Sequence, residues 1–177
     1  MALATSQGGQ LKTLNDKCKI TIAGHEINLK ILPEISDSKK ATYADTTIIG
    51  RSNPIKTYSH SDNRVISMKL HFIVIEKSDI EKNYKDLWAI ASATYPRNGN
   101  GDAPYFPPPV CQIDCGKGLG DQPLCVILEN YSVSFPTNVA WDKDTLMPYY
   151  FEVQTSWHVV YSSSNLPNQD KILGHGV

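Results

Sequence analysis

Five histidines, four cysteines, a glycine-rich pentapeptide and two short acidic clusters are the groups from which this sequence could build chemistry. The histidines, at positions 25, 60, 71, 158 and 175, are scattered. His25-Glu26 has no second histidine at the H-E-x-x-H spacing that a zinc-protease helix needs. His71 and His158 fall on the polar sides of alternating segments, which predicts solvated or interface histidines rather than bases or ligands. No G-x-S-x-G elbow offers a serine nucleophile. Gly116-Lys117-Gly118-Leu119-Gly120 lacks the spacing of a phosphate-binding loop and runs into a strand pattern, so it reads as a hairpin turn. Glu76, Asp79 and Glu81 gather where a helical pattern begins, a place that favours negative charge. Asp142 and Asp144 flank Lys143 in a loop, and no spacing recommends paired-acid catalysis. The sequence therefore predicts no catalytic, cofactor-binding or metal-binding residues, and no enzyme.

The cysteines are Cys18, Cys111, Cys115 and Cys125. Cys111 and Cys115 share one parity on an expected strand, which sets them about 13 Å apart. That is too far for a disulfide between them, and a strand does not bring two thiolates onto one zinc. Buried free thiols are the leading expectation, with disulfides within or between subunits as the alternative.

The elements that would position these groups are mostly strands. Ile20 and Ile22, then Ile27, Leu29 and Ile31, alternate around Gly24-His25 as a strand pair with a tight turn. Residues 33–47 carry few large apolar side chains and read as a long loop. Ile66, Met68, Leu70, Phe72 and Val74 mark one face of a clear strand. Ser78-x-x-Glu81 has the form of a capping box, and Ile80, Tyr84, Leu87, Trp88 and Ala91 follow at helical spacing. This predicts a helix from Ser78 to about Thr94, closed by Tyr95-Pro96, with Trp88 packed on the sheet. Short strands follow over Val110–Cys115 and Leu124–Phe135, the latter with Tyr131, Val133 and Phe135 on one face. From Tyr149 to Tyr161 the odd positions are apolar or aromatic except Thr155, and the even ones largely polar, so the odd ones should face a core. Residues 1–17 read as an N-terminal arm, 18–161 as one β domain and 162–177 as a C-terminal tail.

Composition bounds the function. Seventeen basic and 18 acidic side chains leave a net charge of −1, which argues against a dedicated nucleic-acid binder. No apolar run approaches the roughly 20 residues that span a bilayer. The first residues lack a basic segment followed by an apolar one, so synthesis in the cytoplasm without a secretion signal is the expectation.

The segment Ile49-Gly50-Arg51-Ser52-Asn53-Pro54-Ile55-Lys56-Thr57-Tyr58, followed by the strand containing Met68, Leu70 and Phe72, resembles the opening of contractile-injection-system tube proteins and phage baseplate hub proteins. The later order is similar as well: a helix, Pro107-Pro108-Pro109-Val110 into a strand ending near Gly116, a further strand, and Met147-Pro148 into the last strand. The resemblance covers roughly 18–161; the cysteines are not part of it, and the 16 residues after Tyr161 are too few for the peptidoglycan-binding module that often follows in relatives. It implies a mainly β fold with one helix, a tail-tube-like antiparallel β-barrel or sandwich. It also implies a virion protein that forms a ring, six copies by resemblance, where the baseplate hub meets the tail tube. Its partners would be copies of itself and the tube and hub proteins, with DNA only as passing cargo and no membrane. A peripheral baseplate wedge protein is the alternative. A ligand-binding β domain using Tyr43, Tyr58, Tyr105 and Trp141 is a further one.

Overall fold

The computed structural model describes residues 18–98, 105–120, 122–161 and 166. The expected arm 1–17 and all of the expected tail except Leu166 lie outside the described residues. The chain is mainly β, with one α-helix. Strands β1 (Cys18–Ile22) and β2 (His25–Asn28) form a hairpin, followed by β3 (Glu34–Ser38), β4 (Ala41–Thr46), β5 (Ile55–Ser61) and β6 (Val65–Ile73). Helix α1 (Ser78–Ser92) comes next, then the two-residue strands β7 (Arg97–Asn98) and β8 (Tyr105–Phe106). Strands β9 (Cys111–Cys115), β10 (Leu124–Ser134) and β11 (Tyr150–Val159) complete the order.

Seven strands make one antiparallel sheet in the order β2-β1-β9-β10-β11-β6-β3. It is not closed into the expected barrel: β2 and β3 are its two edges among the described residues. α1 is tied to the β2 end of the sheet and to the end of β6, the neighbour of β3. Its Asp86 meets His25 of β2, its Asp79 meets Lys30 just beyond β2, and Asn83 donates to the Ile73 carbonyl of β6 at 3.2 Å.

Alternation explains the core. On β11, Phe151, Val153, Thr155, Trp157 and Val159 are buried, as the odd-face expectation requires, while Gln154 is exposed. Opposite them Ile66, Met68, Leu70 and Phe72 of β6 are buried, and Phe72 stacks on Phe151 with ring centroids 4.9 Å apart. The one buried hydroxyl in this row is satisfied: Thr155 donates to the Met68 carbonyl and accepts from the Trp157 indole N–H. On β10 the inward parity changes along the strand. Leu124, Val126 and Leu128 face the core, and a bulge between Leu128 and Asn130 then turns Tyr131 and Val133 to the same side.

Four expectations are corrected. The loop of 33–47 contains β3 and β4, and β4 pairs with β5 as a separate two-stranded hairpin. Its residues escape the alternation rule because nearly all of them are exposed. The β1–β2 turn lies at Ala23-Gly24, both with positive φ, one residue earlier than read; this pairing of signs suits a two-residue hairpin and leaves Gly24 little choice of replacement. Ser78 is the first helical residue and its side chain makes no cap. Asp79 instead ties down the incoming loop: its Oδ2 accepts from the backbone N–H groups of Ile75 and Glu76, which precede the helix, at 2.9 and 2.8 Å. Finally, Trp88 does not pack on the sheet: it is 60% exposed. Two stripes run along α1 from Ile80, and the one carrying Asn83, Asp86, Ile90 and Ala93 is buried because its polar members find partners.

The thiol expectation also changes. Antiparallel pairing sets Cys18 directly opposite Cys115, and the two form a disulfide with Cα atoms 4.0 Å apart. Cys111 and Cys115 stay unpaired with each other, as the strand spacing requires; Cys111 and Cys125 are free thiols. Burial pushes the Cys111 thiol up to about 11.

Candidate assembly surfaces

Three surfaces stand out once the core is accounted for. The first is the outer face of the sheet, opposite the core. Even-numbered β11 residues meet odd-numbered partners across β6: Glu152 opposite His71, Gln154 opposite Lys69, Ser156 opposite Ser67. Lys69 bonds Glu152 at 2.9 Å, the Tyr150 hydroxyl donates to Glu152 at 2.7 Å, and His71 Nδ1 lies 2.9 Å from the same hydroxyl. The Lys69 and Tyr150 hydrogen bonds hold the Glu152 carboxyl below its ordinary range, and the bond to Glu152 raises the Tyr150 phenol to about 12. Farther along, His158 meets Glu129, the bulged residue of β10, at 2.7 Å. Across β6, β10 and β11 this face is largely polar, and its Lys69, His71 and His158 each lie beside a carboxylate.

The second surface is the β4–β5 hairpin. Every residue from Ala41 to Ser61 is exposed except half-buried Thr42. Tyr43 and Tyr58 meet edge to face, with ring centroids 5.8 Å apart, and Lys56 pairs with Asp45 at 3.1 Å. Ile48 is half exposed at the turn, and Ile49 beside it is fully exposed. At the hairpin's base, buried Arg64 grips Asp37 of β3 through two nitrogens and donates to the Leu119 carbonyl at 3.1 Å. Arg64 was not singled out by sequence; a lone arginine before a strand carries no signal until β3 is known.

The third surface is an apolar groove of about 530 Å³ between α1 and the end of β10. Tyr84, Leu87, Trp88 and Tyr95 form one wall, and Tyr131, Val133 and Phe135 the other. Helical spacing did pick out Tyr84, Leu87, Trp88 and Ala91; they line this groove instead of the core.

The remaining chemistry-bearing residues are dispersed. His60 pairs with Asp62 at 3.2 Å on the hairpin, and Asp142 accepts from Thr145 in a turn. The glycine-rich pentapeptide joins antiparallel β9 and β10, as the hairpin reading expected. Tyr43, Tyr58, Tyr105 and Trp141 are all exposed but do not form one group: Tyr43 and Tyr58 pair with each other, Trp141 leans on Phe135, and Tyr105 lies in the short β7–β8 ribbon. Among the described residues no group of three metal-ligating side chains comes together, and no helix is long and apolar enough to cross a membrane. His175 lies outside the described residues. The sequence matches no family model and no curated protein.

Proposed function

We propose that this chain is a structural subunit of a contractile tail that forms a closed ring at the junction of baseplate hub and tail tube, templates tube growth and lines its channel. The observation that carries the reading is the β4–β5 hairpin, a ribbon of about twenty residues that buries almost nothing of its own chain. An isolated two-stranded hairpin is marginal in water, so a ribbon of this length makes sense as an arm ordered on a neighbour. The two edges of the sheet among the described residues, β2 and β3, offer backbone groups that neighbouring copies would pair with.

The outer face suits a channel wall. Lys69, His71 and His158 each have a carboxylate partner, so passing DNA meets no excess of positive charge to hold its phosphates. Imaging the assembled particle tests the proposal. A closed ring, with the β6–β11 face toward the channel and interfaces above about 1,000 Å², is the expected result. A lone peripheral copy without self-contacts would overturn it in favour of a wedge component.

A further inference from the structure

We infer that the groove between α1 and β10 receives the tip of the β4–β5 hairpin from a second copy of this chain, with Ile48 and Ile49 as the inserted side chains. The inference rests on the ring reading and names the contact that would build it.

The groove is an exposed concave surface lined by five aromatic side chains from two separate stretches of the chain, and Trp88 and Tyr95 are both more than half exposed. Tyr84 and Trp88 are held edge to face at 6.4 Å, so the wall is preformed. Contiguous apolar surface of this kind on a soluble chain marks an interaction site. The hairpin offers the complement. Its strands of six and seven residues hold the turn about 20 Å beyond their base, and the turn carries two adjacent isoleucines, Ile48 half exposed and Ile49 fully exposed among the described residues. Arg51 anchors that turn by donating its backbone N–H to the Ile48 carbonyl at 3.2 Å, which presents Ile49 outward.

Knob and groove occupy separate surfaces of one chain. A contact between them is therefore heterologous: each copy gives a tip and receives one, and repetition generates a ring when the rotation closes. An isologous dimer would bury both surfaces at once and leave nothing to propagate.

A photo-crosslinking residue at position 49 in the concentrated full-length chain tests this, with isotope-labelled and unlabelled copies mixed. The expected crosslinks join labelled to unlabelled chains and map to residues 84–95 or 131–135. Trp88→Ser, a change at an exposed position, should abolish them, and Ile49→Ser should weaken self-association about tenfold or more. Crosslinks confined to the same chain, mapped elsewhere on the partner, or absent overturn the inference. So does a probe at position 88 that captures residues 162–177 of its own chain, which would make the tail the occupant. A ring seen in the particle with the tips seated elsewhere overturns the docking and leaves the ring; a lone copy overturns both.

Discussion

β6 with β11, and β4 with β5, are both antiparallel pairs in continuous register or nearly so, yet they differ in every energetic respect. The first alternates buried and half-buried residues along its length, and the second is exposed on both sides. The sheet stabilises itself through burial. The hairpin is held by its own pairing, the Tyr43–Tyr58 contact and solvent-exposed local polar contacts such as Lys56–Asp45 and His60–Asp62, and an exposed ion pair contributes little. The difference separates a part held by buried side chains from a part that buries almost nothing of its own chain.

The largest expected effect lies in the sheet. Trp157 is fully buried and its indole N–H is bonded to Thr155. Trp157→Ala should destabilise by about 3–5 kcal/mol in a urea titration. A loss under 1 kcal/mol would place the core somewhere other than the β6–β11 face.

The disulfide comes second. It closes a loop with a sequence separation of 97 residues and joins β1 to β9 inside the same sheet. Replacing Cys18 and Cys115 together by serine should cost about 2–4 kcal/mol. Peptide mapping without reductant should find this crosslink and leave Cys111 and Cys125 free. An unchanged melting temperature on reduction would detach the disulfide from the stability of the sheet.

Much of the sheet was legible because burial writes itself into alternation. Ile66–Phe72 and Phe151–Val159 could be assigned to faces from spacing alone. The disulfide was not legible, because which cysteines oppose each other depends on the register of strands almost a hundred residues apart. β3, β4 and β5 left no alternation since they bury almost nothing, so a polar strand and a polar loop look alike. On α1 two stripes competed. Asn83 and Asp86 sit on the buried one, and only their partners, Ile73 and His25, in distant strands, show why. The apolar groove was visible as a helical stripe, but it was assigned to the core because sequence does not distinguish a face turned inward from one awaiting a partner.

The third effect acts on the joint between helix and sheet and depends on pH. The hydrogen bond from Lys30, with further bonds from the Glu76 and Ile75 N–H groups, lowers Asp79 to about 2. An unfolded aspartate titrates near 3.9. The contribution of Asp79 is therefore fully present above about pH 4 and is lost as the pH falls toward 2. Asp86 acts in the opposite sense: burial, its largest influence, raises its pKa despite the His25 bond, so protonation relieves the folded state as pH falls. Urea midpoints measured from pH 5 to 2 should fall less steeply for Asp79→Asn than for the unaltered chain. Equal slopes would show that the helix is held by other contacts.

The smallest effect on stability is the one that most directly tests the division between sheet and arm. Tyr43 and Tyr58 pack on each other and are both more than half exposed, and no β4 or β5 residue belongs to the core. An aromatic pair of this geometry is worth about 0.5–1.5 kcal/mol to the element that contains it. That energy stays within the hairpin, because a locally opening segment contributes little to the global unfolding of a body it barely touches. Tyr43→Ala with Tyr58→Ala should therefore leave the urea midpoint of the isolated chain within about 0.5 kcal/mol of its starting stability. The same variant should raise amide exchange across residues 41–61 while exchange in β6, β10 and β11 stays slow. It should also reduce self-association, since a frayed arm must be ordered again before its tip can dock. Should the melting temperature of the isolated chain fall by many degrees instead, the hairpin would be part of the cooperative core, and the contrast between a self-sufficient sheet and a partner-dependent arm would not hold.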